Sequence, residues 1–442
     1  MNWAIQPFRC HNRPPPQASR AVRGMIHLVA VHGRHVLANA VIFELSRQEK
    51  KGPAMPFHPT VFGELLKPIS RRRFAACVAR HNGDAYDKNF SSWDHLITLV
   101  FAQLSGVDSL RGLAAAWGAG AHHHYHLGAG RIVRSTLSDA NRRRPVEVFV
   151  ETFSELARQA DRTARKTGDD LVRLIDASPI PLSRLHEIQA FNGRIKGAKL
   201  HLVYDPGKDF PQEAAITPAN INDISFAHEI VAQPDTTYVF DKGYCSLQFW
   251  QKLHDARALF ITRPKQNAAL EVICPCSLDA PTALETNVVT DDIVRHKSKN
   301  SWRGTLSFLM RRIAVRRDDG KIMYIVTNDL VRPAGDIAAL YRRRWRIELL
   351  FRWIKQHLKI RRFLGRSENA VKLQILAALI AYLLLRLAVL ATRRSDIKPI
   401  RFTELISASL FVRKPIERID KPYPKRPLAD HADNRQMTFN LK

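Results

Sequence analysis

Apolar residues recur every three or four positions between Ser91 and about Lys166, a spacing typical of amphipathic helices. Serine favours helix starts and glycine favours helix ends, and both punctuate this stretch. The pattern predicts helices that begin at Ser91 or Ser92, at Ser109, at Leu137 after a Ser135 cap, and at Pro145. The two short middle helices resemble a helix-turn-helix motif, although the loop between them is longer than in that motif. A plain helical bundle is the alternative, and the sequence leaves both open.

The hydrophobic pattern changes at Asp169, where compact apolar runs replace the helical spacing. Such runs are typical of buried strands. The predicted strands are Leu171–Ile175, Leu200–Tyr204, Thr237–Phe240 and Ala258–Thr262, and a β-rich region follows as far as Asn328. From Pro333 or Asp336 the pattern predicts one long helix through Arg362.

The most apolar segment runs from Leu373 to Leu390. Gln374 lies within it, and Arg386 ends its unbroken part, which is shorter than the ~20 residues that cross a bilayer. We therefore expect a buried helix and no membrane association.

The chain is strongly basic, with 69 Lys and Arg against 41 Asp and Glu and a formal net charge of +28 over 442 residues. Its hydrophobic fraction of 45% is ordinary for a globular protein, which excludes a mostly disordered, collagen-like or coiled-coil chain. The charge predicts a polyanionic partner, and nucleic acid is the obvious one. A merely basic soluble protein is the alternative.

Cysteine and histidine give little sign of a metal or a disulfide framework. The five cysteines are scattered, and an odd number fits a reducing compartment. Cys274 and Cys276 are too close together for a zinc knuckle. The histidine run in 121–126 has no acidic or cysteine partner nearby in sequence. A loop that packs or contacts phosphate is therefore preferred over a metal site. No secretory signal is visible.

The first 56 residues lack a sustained hydrophobic period and contain the run Pro14–Pro16. An internal methionine, Met55, precedes the patterned region. One hypothesis is that translation begins at Met55, and the alternative is a disordered basic arm that contacts DNA. A peptide from residues 1–50, detected by mass spectrometry, would exclude the first hypothesis.

Three acids stand out as candidate chemistry. Two predicted strands end at Asp176 and Asp241, and Glu348 is the one acid among nine Lys and Arg residues between Tyr341 and Arg362. Three carboxylates from two strands and a helix suit a pair of Mg²⁺ ions, which prefer oxygen ligands and promote in-line phosphoryl transfer. For Glu348 the alternative is a structural salt bridge with an arginine four residues away, Arg344 or Arg352.

The spacing around Glu348 is that of a known family. Tyr341, Arg344, Glu348 and Lys355 form the pattern Y-x2-R-x3-E-x6-K. The blocks Leu174–Ser178 and Phe240–Tyr244 precede it in order. Three ordered motifs of this kind resemble the bacterial insertion-sequence transposases of the IS-four family, and the resemblance covers about residues 57–395.

The resemblance implies an α/β fold with an RNase H-like catalytic core, a β-rich insertion and an N-terminal helical domain. The implied organisation is an extension at 1–56, a helical DNA-binding domain at 57–165, a catalytic domain at 166–395 with its insertion at about 264–322, and a C-terminal tail at 396–442. It implies that Asp176, Asp241 and Glu348 bind Mg²⁺, with Mn²⁺ as a substitute. It also implies that Tyr341, Arg344 and Lys355 bind phosphates near the cleaved end.

Lesser candidates flank these motifs. Lys196, Lys199 and His201 could line the DNA track, and a solvated strand edge is the alternative. Trp302, in the insertion, could stack on a flipped base, although packing is the commoner role of a tryptophan.

The sequence thus predicts a DDE transposase that binds inverted repeats, cleaves DNA at the element ends and joins the 3′ ends to target DNA. We expect double-stranded DNA as partner, a homodimer that pairs two ends, and a cytoplasmic, nucleoid-associated location. The alternatives are an RNase H-like nuclease that does not join strands and an inactive, domesticated DNA-binding protein.

Overall fold

The computed structural model describes residues 59–85, 89–165, 171–183, 197–266, 268–278, 285–297, 306–358, 362–394 and 396–422. The extension at 1–56, Met55, Lys196 and Trp302 lie outside the described residues, so the predictions made for them stay predictions.

The N-terminal part of the described chain is helical, as its apolar spacing predicted. Its helices are α1 (Val61–Leu65), α2 (Arg71–Arg80), α3 (Ser92–Ser105), α4 (Leu110–Ala119), α5 (His124–Leu127), α6 (Arg134–Arg143) and α7 (Glu147–Arg165). Ser91 and Asp94 cap α3 reciprocally, each side chain accepting from the other's backbone N–H. Gly106 ends α3 with a φ of 73°, a left-handed conformation that glycine adopts without strain.

The segment between α4 and α6 differs from the predicted loop. It forms a 3-10 turn at Ala121–His123 followed by α5, so the two flanking helices do not form a helix-turn-helix with a short turn. His123 stacks on Phe411 and His124 stacks on Trp117, so two of the four histidines pack inside the bundle. Helix α6 begins at Arg134, before the expected Ser135 cap, and no side chain caps it.

A mixed sheet of nine strands follows in the described chain. Its strands are β1 (Leu171–Ile180), β2 (Ala198–Asp205), β3 (Phe210–Pro218), β4 (Thr236–Phe240), β5 (Leu259–Thr262), β6 (Leu270–Pro275), β7 (Val288–His296), β8 (Met310–Arg316) and β9 (Ile322–Thr327), in the order β3-β2-β1-β4-β5-β9-β8-β7-β6. Strands β1, β4 and β5 are parallel, whereas the other neighbours pair antiparallel. The pattern analysis missed β3. The β-rich region expected at about 264–322 supplies β6 to β8, and β9 joins it to β5 in the same sheet.

Along the chain, α8 (Asp223–Glu229) connects β3 to β4 and α9 (Leu247–Asp255) connects β4 to β5. Four helices follow the last strand: α10 (Ala334–Arg343), α11 (Trp345–His357), α12 (Glu368–Thr392) and α13 (Pro399–Ala408). The single long helix predicted after Pro333 is therefore wrong, because the helix is interrupted at Arg344. There the amides of Arg344 and Ile347 donate to carbonyls three residues earlier, at 3.0 and 3.2 Å, rather than four. This tighter bonding separates α10 from α11.

Helix α12 is the central core element. It packs against α3, α6, α7 and β3, so the N-terminal helices and the first strands share one hydrophobic core. The helix is long and apolar enough to cross a membrane, but 67% of its most apolar window is buried inside the protein. Its protein contacts, rather than the shortness expected from the sequence, account for its composition.

The described part of the C-terminal segment packs back onto the N-terminal helices. The amides of Val61 and Phe62 donate to the carbonyls of Val412 and Leu410, each at 2.9 Å. The Ile416 amide donates to Glu64 Oε2 at 3.0 Å. Residues 396–422 are therefore part of the folded unit and not a free tail.

Candidate active site

Two of the candidate acids lie side by side on neighbouring strands. Strands β1 and β4 pair in parallel, and their last paired residues are Ile175 and Phe240. Asp176 and Asp241 are the residues that directly follow this pair. The sequence predicted that Asp176 ends its strand. In the structure Asp176 lies within β1, because β1 goes on pairing with β2 through Ile180. Asp241 instead leaves the sheet and begins the 3-10 turn Lys242–Tyr244.

The third acid reaches the same place from helix α11, which packs against β1. The guanidinium of Arg344 lies between two of the acids, with Nη1 3.7 Å from Asp176 Oδ2 and Nη2 2.5 Å from Glu348 Oε1. The salt bridge considered as an alternative for Glu348 is therefore present, and it also places Glu348 next to Asp176. Arg352, the other arginine considered, lies with its guanidinium carbon 5.8 Å from the ring centre of Trp345.

Asp176 and Glu348 face an open cleft of about 430 Å³, lined by Asp176, Ala177, Ser178, Glu348, Phe351, Arg352 and Lys355. Carboxylates and cations therefore share one concave surface. Such a surface can hold metal ions at its base and a phosphate backbone at its rim.

The charges in the cleft are incompletely balanced. Burial raises the pKa of Asp176 to about 6, Glu348 and Asp241 push it the same way, and the Ala177 amide and Arg344 oppose them. The Oδ1 atom of Asp241 is buried and has no hydrogen-bond partner in the described structure. A buried carboxylate oxygen without a donor is costly unless a cation satisfies it.

The donor set fits a hard divalent cation. Three carboxylates offer only oxygen, which Mg²⁺ prefers. In the described structure the oxygens of the three acids do not all come within 4.8 Å of one another, and the Arg344 guanidinium occupies the space between two of them. A cation bound to both Asp176 and Glu348 would therefore compete with the Arg344 guanidinium for their oxygens.

The remaining residues of the Y-x2-R-x3-E-x6-K pattern surround the acids. Tyr341 is buried on α10, and burial raises its pKa to about 12, with Asp241 near enough to add to the effect. The Lys355 ammonium donates to Ser178 Oγ at 2.6 Å. One end of the pattern thus approaches Asp241, and the other approaches the strand that carries Asp176.

Lys199 and His201 belong to a polar cluster that contacts the Lys242–Tyr244 turn through Tyr244. Lys199 donates to Asp223 Oδ1 at 2.9 Å and to the Ile221 carbonyl at 2.7 Å. His201 is fully buried, its Nε2 2.9 Å from Thr217 Oγ1, and burial lowers its pKa to about 4. Both residues thus make contacts inside the protein, which supports neither a solvated edge nor an open DNA track.

The pattern analysis did not single out Ser178 or Asp223. Ser178 belongs to the block Leu174–Ser178 that carries Asp176, and this adjacency was the available signal. Asp223 gave no signal, because its contact with Lys199 joins a strand to a helix that only the tertiary fold brings together.

Two family models match the chain. The one described as Transposase DDE domain covers residues 167–384, and one described as a domain of unknown function (DUF4372) covers residues 57–130.

Curated relatives resemble the chain over much of their length. A Sinorhizobium fredii protein named as the transposase y4zB is 48% identical over 69% of this chain and 85% of its own length. A Geobacillus stearothermophilus protein named as the transposase for insertion sequence element IS5377 is 27% identical over 59% of this chain and 68% of its own length. Among solved structures, the cryo-EM piggyBac transposase synaptic complex with hairpin DNA matches with a TM-score of 0.39 and 10% identity, over 83% of this chain and 82% of that one.

Proposed function

This chain belongs to the DDE transposases of bacterial insertion sequences, and on that premise we propose that it cleaves DNA at the ends of its element and joins the 3′ ends to target DNA. The observation that carries the proposal is that Asp176 and Asp241 directly follow the last paired residues of two adjacent parallel strands, while Arg344 joins Asp176 to Glu348 of α11. The spacing Y-x2-R-x3-E-x6-K supports assignment to the IS-four branch.

We propose that β3-β2-β1-β4-β5 is an RNase H-like core. The parallel arrangement of β1, β4 and β5, with β2 and β3 antiparallel at the edge, supports this. Strands β6 to β9 would then be the β-rich insertion, placed between the core strands and the helix that carries Glu348. In this arrangement the two strand acids are fixed by the sheet, and the third acid is set by helix packing.

DDE transposase domains generally use divalent metals, and we propose Mg²⁺, with Mn²⁺ as a substitute, at Asp176, Asp241 and Glu348. Bound ions would activate water or a 3′-hydroxyl and stabilise the leaving oxygen. Two observations support a cation site: Asp241 Oδ1 is buried without a donor, and burial raises the pKa of Asp176, so a cation would stabilise the ionised form of that acid.

Arg344 has two roles in this proposal. Without metal, its guanidinium neutralises Asp176 and Glu348. With cations bound to the acids, the guanidinium would be free to bind a phosphate near the scissile bond, whose geometry its planar fork matches. Lys355, at the rim of the cleft, would hold a neighbouring phosphate as a point charge.

The partners and location follow from this chemistry. Double-stranded DNA, both element ends and target, accounts for the net charge of +28. We propose a homodimer in the synaptic complex, because two ends must be joined together, and a cytoplasmic, nucleoid-associated location.

The decisive experiment incubates purified protein with a labelled element end, Mg²⁺ and a target plasmid. Joined products support a transposase. Cleavage without joining would overturn the strand-transfer step in favour of a nuclease, and a mobility shift without cleavage would indicate a binding protein.

The Asp241→Ala variant tests the role of the acids. It should bind the labelled end as the wild type does but should not cleave it. Asp318→Ala, in the exposed turn between β8 and β9, is the matched control and should cleave normally. Cleavage by Asp241→Ala would remove Asp241 from the metal site.

A further inference from the structure

A second group of metal-ligating side chains lies far from the three acids in sequence, between helices α2 and α7. Cys77 is on α2, His81 follows one turn later at its C-terminal end, and Glu151 faces them from α7. One ligand atom from each of the three lies within 4.8 Å of the others. His81 Nε2 and Glu151 Oε1 are 2.6 Å apart.

We propose that Cys77, His81 and Glu151 form a binding site for a thiolate-preferring transition-metal ion of the Zn²⁺ class. Sulfur, imidazole nitrogen and carboxylate oxygen are the ligand types of Zn²⁺. The hard ion Mg²⁺ takes oxygen ligands, so this site and the three-acid site select different metals.

The two carboxylate oxygens of Glu151 have different partners. Oε1 faces His81, whereas Oε2 accepts from Arg80, an exposed ion pair. Arg80 can therefore keep its oxygen while the other oxygen ligates the metal, and it would orient the carboxylate as supporting groups commonly do around metal ligands.

The thiol supplies the remaining protein ligand. Cys77 is buried, and its Sγ lies within 4.8 Å of the ligand atoms of His81 and Glu151. Metal binding would replace the S–H bond with a sulfur–metal bond and release its proton to solvent.

The site is open on one side. Cys77, Arg80 and Glu151 border a groove of about 330 Å³ between the two helices, from which water can take the fourth position. Three protein ligands and one open position is a known zinc arrangement. The metal would cross-link α2 to α7 within the N-terminal helical region.

The test uses the full-length, metal-free protein titrated with Co²⁺, whose bond to a thiolate absorbs in the near ultraviolet. We expect a thiolate band that saturates at about one Co²⁺ per chain, releases about one proton and disappears when Zn²⁺ is added. Excess Mg²⁺ should not remove it. Absence of a saturable thiolate band would overturn the proposal.

Single substitutions identify the residues that produce the Co²⁺–thiolate absorption band. Cys77→Ser should abolish it, whereas Cys274→Ser, which removes an exposed thiol on β6, should leave it unchanged. The reverse pattern would overturn the proposal. His81→Gln keeps the buried thiol, so it guards against misfolding of Cys77→Ser, and it should weaken Co²⁺ binding at least ~10-fold. Unchanged Co²⁺ affinity in His81→Gln would contradict the site. Asp241→Ala should retain the band, which separates this site from the proposed catalytic one.

Discussion

Neutralising one acid of the candidate active site should stabilise the metal-free protein. In Asp176→Asn the side chain keeps its size and its acceptor for the Ala177 amide, which donates to it at 2.8 Å. It loses only the charge that burial, Glu348 and Asp241 all disfavour. The variant should therefore unfold at higher denaturant concentration than the wild type when EDTA is present.

The size of the effect follows from the pKa of Asp176. That pKa rises from 3.8 to about 6, a difference of about two pH units, and ~1.36 kcal/mol for each gives about 3 kcal/mol. An acid whose folded-state pKa is raised adds stability below its unfolded value, and this stability is lost as pH rises through the folded value. The gap between variant and wild type should thus be about 3 kcal/mol at pH 7.5 and should close towards pH 4.

The assay is urea unfolding of both proteins at pH 7.5 and pH 4, in EDTA and in Mg²⁺. Mg²⁺ should stabilise the wild type by mass action and leave the variant nearly unchanged, so the gap narrows. Asp318→Asn, on an exposed turn, should stay within ~0.5 kcal/mol of the wild type throughout. The reasoning would be refuted if Asp176→Asn were no more stable than the wild type at pH 7.5 in EDTA. It would also be refuted if the difference in unfolding free energy were the same at pH 7.5 and pH 4.

Three further predictions concern the core and can be checked by chemical unfolding. Leu379→Ala on α12, at a fully buried position, should lose ~2–5 kcal/mol, whereas Leu330→Ala, 47% exposed, should lose far less. Arg173→Met should cost ~3–5 kcal/mol, because the buried guanidinium pairs with Asp161 and Asp205, at 2.9 and 2.6 Å, and both carboxylates would lose this positive charge. His95 is buried, and burial lowers its pKa from 6.5 to about 3. As pH falls, His95 therefore binds a proton in the unfolded chain before it does so in the folded protein. The wild type should therefore lose stability as pH falls below about 6.5, and His95→Gln should reduce that slope by one proton.

Much of the fold was predictable because local patterns determined it. The cap at Ser91, the glycine stop at Gly106 and the apolar runs of β1 and β4 each follow from a few neighbouring residues. Strand β3 escaped prediction because it contains Pro211 and Glu213 and lacks a continuous apolar run. It is a strand because β2 supplies its hydrogen bonds and α7 and α12 cover it.

The candidate site was predictable in its residues but not in its geometry. Asp176 and Asp241 were expected together because two predicted strands end at them and the family resemblance implies a shared site, and the parallel pairing of β1 and β4 then emerged from the structure. The Cys77–His81–Glu151 group could not be predicted, because Glu151 lies on a separate helix that faces Cys77 and His81 only after folding. A contact between distant helices leaves no periodic trace in a single sequence.

The interruption between α10 and α11 at Arg344 shows most clearly what a sequence pattern leaves undetermined. An uninterrupted helix and a helix with one tightened turn contain the same apolar spacing, since only a few backbone bonds distinguish them. In this protein the tightened turn lies at Arg344 itself, where its amide bonds to the Tyr341 carbonyl, while its side chain extends between Asp176 and Glu348. The net attraction of two carboxylates for one guanidinium can offset the small cost of a 3-10 turn. The interrupted helix and the ion pairs of the site thus involve the same residue, and the helical pattern alone could not have revealed this interruption.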